Sequence, residues 1–64
     1  MSITLTVEEA CQKLRDVGMK ISPETIRMGL QQQRFPFGDC IVSEKSVRFF
    51  VYKKLLDDWI AERT

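Results

Sequence analysis

The chain has no histidine, two cysteines (Cys11 and Cys40), two prolines, three glycines and one tryptophan in 64 residues. Each scarcity excludes something. Without histidine there is no Ser/His or Cys/His nucleophile pair and no imidazole acid–base group. Two cysteines cannot build a multi-disulfide framework, and without histidine they cannot complete a tetrahedral structural zinc site. The three glycines form no glycine-rich phosphate loop. No apolar run approaches the ~18–20 residues that cross a bilayer. No basic, then apolar, then small-residue leader stands at the start. The expectation is a single domain over residues 1–64, cytoplasmic, off the membrane, with both cysteines reduced. A fold this short buries only about 60% of its extended-chain surface, which leaves little material for a ligand pocket of about 300 Å³. A non-enzyme without a cofactor is therefore expected.

What is present is a globular fraction of hydrophobic residues, 44%, and a nearly balanced charge of +1. The balance conceals a distribution. From Lys20 to Lys54 seven basic residues face three acidic ones, whereas the two flanks carry three basic and six acidic. A basic middle between acidic ends can mark one binding face.

Thr6-Val7-Glu8-Glu9 fits a helical capping box, and Val7, Ala10, Cys11 and Leu14 follow as one apolar stripe. Gly18 is placed to stop that helix. Cys11 on the stripe reads as a small core residue. Ser22-Pro23 starts a second helix, predicted to end near Gln33 because Phe35 precedes a proline. Ile26 and Leu30 mark its buried side. Gly29 beside them implies a packing reason, such as close approach of the first helix. Its outer side carries Glu24, Arg27, Met28 and Gln31. Phe35-Pro36-Phe37-Gly38 is a breaker-rich corner. Cys40–Val42 and Val47–Tyr52 then read as a hairpin around Ser43-Glu44-Lys45-Ser46, with Phe49 and Val51 inward and Arg48 outward. A final helix from about Lys53 to Arg63 puts Leu55, Leu56, Trp59 and Ile60 on one side, with Trp59 expected in the core. Lys53 and Lys54 at its start oppose the helix dipole, as though something anionic sat there.

The order helix, turn, helix, corner, hairpin, helix fits a small α+β, mostly helical, winged helix-turn-helix fold. Such a fold places its second helix in the major groove and its hairpin on phosphates. The sequence resembles the MerR-like winged helix-turn-helix family of phage-excisionase type. The matching residues are Leu5-Thr6-Val7-Glu8-Glu9-Ala10, Ser22 with Thr25-Ile26, Phe35-Pro36, and Lys53-Lys54-Leu55-Leu56-Asp57-Asp58-Trp59-Ile60. They span roughly residues 4–62. The chain departs from the family's pattern at Met28, in a longer helix–helix turn, and at the hairpin tip, where Ser43-Glu44-Lys45-Ser46 stands in place of a Gly-Arg-Arg motif.

The resemblance implies an accessory DNA-binding protein: an excisionase or recombination directionality factor, or a small phage-type transcriptional regulator. The implied partners are double-stranded DNA, an integrase, and neighbouring copies of the chain on that DNA. The expected DNA-binding residues fall in groups. Ser22, Thr25, Arg27, Met28 and Gln31 belong to the second helix and its entry. Lys45 and Arg48 flank the hairpin tip, and Lys20, Lys53 and Lys54 serve flanking phosphates. The other reading is a protein-interaction module without DNA affinity on the same scaffold, favoured by the near-neutral charge, by Met28 on the outer face and by Glu44 at the tip.

Overall fold

The computed structural model describes residues 3–64; Met1 and Ser2 of the expected 1–64 domain lie outside the described residues. The fold is α+β. In chain order it runs β1 (Thr4–Leu5), α1 (Val7–Asp16), α2 (Pro23–Gln31), β2 (Gly38–Val42), β3 (Val47–Tyr52) and α3 (Lys53–Arg63). The strands form one antiparallel sheet in the order β1-β3-β2. Among the described residues no helix is long and apolar enough to cross a membrane.

The start of α1 forms as its sequence dictates. The Thr6 hydroxyl accepts from the Glu9 amide at 3.0 Å, and the Glu9 carboxylate accepts from the Thr6 amide at 3.0 Å. Two orphan donors of the first turn are thereby satisfied. Val7, Ala10, Cys11 and Leu14 are all buried, so the apolar stripe is the packed face. The helix closes with paired bonds, Gly18 N–H to Arg15 C=O and Met19 N–H to Leu14 C=O, around Gly18 at φ +96°. This is a Schellman cap.

α2 is capped by the Ser22 hydroxyl, which accepts from the Thr25 amide at 3.3 Å. It ends two residues earlier than expected and repeats the same closure: Gln33 N–H bonds Leu30 C=O, and Arg34 N–H bonds Gly29 C=O. Here a glutamine takes the left-handed position, at φ +58°. Breaker reasoning from Phe35-Pro36 misplaced the end because the stop is made by this local bond pair.

The packing reason for Gly29 is Phe35, not the first helix. A Cβ on Gly29 would stand 2.2 Å from the Phe35 ring. The backbone of α2 is therefore the floor on which Phe35 lies. Phe35 stacks on Phe37 with centroids 4.9 Å apart, and Trp59 meets both edge-on at 6.0 and 5.3 Å. Within this cluster Phe37 is completely buried, whereas Trp59 is only half-buried and carries the Arg63 guanidinium 4.0 Å above its ring. The expected roles of corner and tryptophan are thus corrected: the breaker-rich corner supplies the central aromatic, and Trp59 lids it.

Leu55, expected inward, is 46% exposed, while Leu56 is fully buried. The hairpin register pairs Cys40 with Phe49 and Ile41 with Arg48. Val51 is buried and Phe49 packs against the core, as expected, with Arg48 outward. The strand β1 was not foreseen. Its two residues are too few to show a period, and it forms because β3 offers an open side at Val51 and Tyr52. Cys11 and Cys40 are both free thiols.

Candidate nucleic-acid interface

α2 is built to display one face. Ile26, Gly29 and Leu30 are buried, so Glu24, Thr25, Met28 and Gln31 are driven outward by the helical period. Met28 is 57% exposed. Ser22 and Thr25 are already engaged with each other: besides the amide bond of the cap, their hydroxyls lie 3.0 Å apart. They fix the entry of the helix.

Arg27 differs from its expected role. Its guanidinium pairs with Glu8 of α1 at 2.7 Å and is turned away from a free outer position. The pair ties the first turn of α1 to the middle of α2. The sequence could not reveal this, because Glu8 lies nineteen positions earlier and only the helix crossing brings the two together. As an exposed ion pair it adds little stability, about 0–1 kcal/mol, yet it engages the cation expected on the outer face.

Lys20, Ser22 and Thr25 share one shallow depression of about 630 Å³ with Arg15, Gly18 and Met19. Arg15 was not among the expected residues. Its Nε donates to the Ile21 carbonyl at 2.9 Å, which holds the helix–helix turn and leaves the rest of the guanidinium at the rim of that depression. Arg34 is a second cation that sequence reasoning missed; it is exposed immediately after α2. Its charge directly after the expected end of the second helix near Gln33 was the available signal.

Lys45 and Arg48 are exposed on the hairpin, as expected. The tip is a tight closure in which the Ser43 amide donates to the Ser46 carbonyl at 2.8 Å and the Ser43 hydroxyl accepts from the Ser46 amide at 3.2 Å. Lys53 and Lys54 are also exposed, but the structure gathers them elsewhere. They line a recess of about 430 Å³ with Ile3, Asp57 and Asp58, on the opposite end of the sheet from the hairpin tip. The first turn of α3 has no side-chain cap. The two lysines share that recess with Asp57, which is itself paired with Lys13 of α1, and their exposure to water keeps the cost of opposing the helix dipole small.

On the sheet, the Tyr52 hydroxyl donates to Asp39 at 2.9 Å. This bond holds the phenol above its ordinary range, because the carboxylate favours the protonated form.

Comparison with protein-family models, with curated proteins and with solved structures finds no match to this chain.

Proposed function

We propose that the chain is a small double-stranded-DNA-binding accessory protein on a winged helix-turn-helix scaffold, acting as an excisionase-type recombination factor or a compact transcriptional regulator. In this reading α2 enters the major groove, and the hairpin is the wing that lies on adjacent phosphates. The observation that carries it is the doubly capped α2, whose outward Thr25, Met28 and Gln31 are uncommitted to the core and are flanked by Lys20 on one side and Arg34 on the other. Gln31 supplies a bidentate group for a base edge, Met28 an apolar contact for a thymine methyl, and Lys20, Lys45 and Arg48 the phosphate contacts. Arg27 positions the helix through Glu8 rather than reading bases. Lys53 and Lys54 belong to a separate surface and carry no part of this contact.

A second reading, a protein-interaction module, is favoured by one specific observation: the hairpin exposes the paired Val42 and Val47 on one face and Ile41 on the other, apolar surface unusual for a phosphate-binding element.

A gel shift with mixed-sequence duplex at low salt separates the two. Under the DNA reading the duplex is retarded, and the affinity falls with salt at a log–log slope of about −3 for three or four phosphate contacts. Lys45→Ala flattens that slope by about one and weakens all sequences alike, whereas Gln31→Ala reduces discrimination between sites. Absence of any shift at low salt sinks the DNA reading.

A further inference from the structure

The hairpin has an unpartnered edge whose chemistry fits a second copy of this chain. The bonds from the Ser43 amide to the Ser46 carbonyl and from the Tyr52 amide to the Phe37 carbonyl fix the phase of the β2–β3 ladder. By the alternation of antiparallel pairing, Asp39 and Ile41 bond β3, while the N–H and C=O of Cys40 and Val42 point away from it. Neither residue makes another main-chain hydrogen bond among the described residues. Ile41 and Val42 are 55% and 65% exposed. Natural edges are usually blunted by lysine, proline or a bulge, and Cys40-Ile41-Val42 carries none of these.

We propose that two copies of the chain pair antiparallel through β2, with Ile41 opposite Ile41, extending the two three-stranded sheets into one. In this register Cys40 of each copy faces Val42 of the other, and their outward N–H and C=O groups exchange hydrogen bonds. Asp39 meets Ser43 and Gly38 meets Glu44, so no like charges are opposed. The turn of the second copy then lies along a polar cleft of about 290 Å³ that Gln31 and Gln33 leave beside Asp39 and Cys40. The other side of the hairpin is also open, because β1 covers only Val51 and Tyr52 of β3. Symmetric pairing there in the corresponding register, with Val47 facing Phe49, sets Arg48 against Arg48, which charge repulsion disfavours. The two-fold arrangement closes at a dimer.

The test needs no DNA and so stands apart from the functional reading. Sedimentation equilibrium and amide-shift mapping are run on the full chain from about 20 µM to about 1 mM, the range in which so small an interface associates. The expected result is a mass rising from 7.5 kDa toward twice that value, with concentration-dependent shifts centred on Cys40, Ile41 and Val42. Ile41→Lys weakens association by about tenfold or more, and Val47→Lys on the other edge leaves it intact. With Cys40→Ser in the background, Ile41→Cys forms an intermolecular disulfide on mild oxidation, since directly opposed residues of a non-hydrogen-bonded pair lie within disulfide reach. A mass that stays at one chain, an association that passes beyond the dimer or survives Ile41→Lys, or failure of Ile41→Cys to cross-link overturns the proposal.

Discussion

The body of the molecule and the outer half of its hairpin are made of the same kinds of residue and behave oppositely. In the body Leu14, Ile26, Leu30, Phe37, Val51 and Leu56 are excluded from water. In the outer hairpin Ile41, Val42 and Val47, equally apolar, lie in it. The difference is one of reach. The hairpin is longer than the helices beneath it, so β3 is buried at Val51, half-buried at Phe49 and exposed at Val47. β-branched composition made the strands, but the helices determined which part of them became core. Apolar surface that is not needed for the core is available for another molecule.

The sharpest way to break this comparison is to truncate one residue in each region. Phe37→Ala removes a fully buried ring and is expected to cost about 3–5 kcal/mol, enough to unfold a domain of this size at ordinary temperature. Val47→Ala is expected to stay within about 0.5 kcal/mol. Chemical denaturation monitored by circular dichroism checks both, and comparable losses would erase the distinction between body and hairpin.

A second substitution probes the body alone. Gly29→Ala improves intrinsic helix propensity by about 1 kcal/mol, yet the added methyl collides with the Phe35 ring. Displacing that ring from Phe37 and Trp59 is expected to dominate, for a net loss of about 1–2 kcal/mol. A stabilised variant would show that Phe35 moves freely and that the aromatic cluster is not a packed unit.

Gln33→Gly should go the other way. It relieves a left-handed backbone at φ +58° and keeps both cap bonds. A rise of about 0.5–1 kcal/mol is expected, read as a higher midpoint in the same denaturation series. A fall would mean that the Gln33 side chain contributes more than its backbone costs.

The smallest effect lies where the two regions join, at Tyr52. Its hydrogen bond to Asp39 raises the phenol above 10.0, so the folded state holds the proton more tightly than the unfolded one. The contribution is present below the unfolded value and is lost as pH rises through the folded value. Ultraviolet titration should show a raised midpoint that Asp39→Asn returns toward normal, and an unshifted wild-type midpoint would remove the bond.

Several parts of this structure were legible residue by residue. Thr6 with Glu9, and Ser22 with Pro23, announce helix starts because a cap is made within four residues. Val7, Ala10, Cys11 and Leu14 announce a buried face because period and burial coincide. The hairpin followed from β-branched runs around Ser43–Ser46. The candidate interface was legible to the same extent: Thr25, Met28 and Gln31 face outward because Ile26 and Leu30 face inward. The pairing of Arg27 was not legible because its partner Glu8 is nineteen positions away in sequence. Lys53 and Lys54 were expected with Lys20 on flanking phosphates, whereas the structure sets them beside Asp57 and Asp58 at the end of β3 away from the hairpin tip, which chain order does not convey.

The sequence by itself therefore determined the order of the three helices and the hairpin, the starts of α1 and α2 and the inward faces of those two helices, all of which rest on contacts between near neighbours along the chain. Only the tertiary structure decided that Phe37 rather than Trp59 fills the centre, that Phe35 lies on Gly29, that β1 completes the sheet, and that Arg27 is held by Glu8. Each of those depends on which distant surfaces meet, and that is set by the joint packing of helices and sheet. No local period or spacing records it.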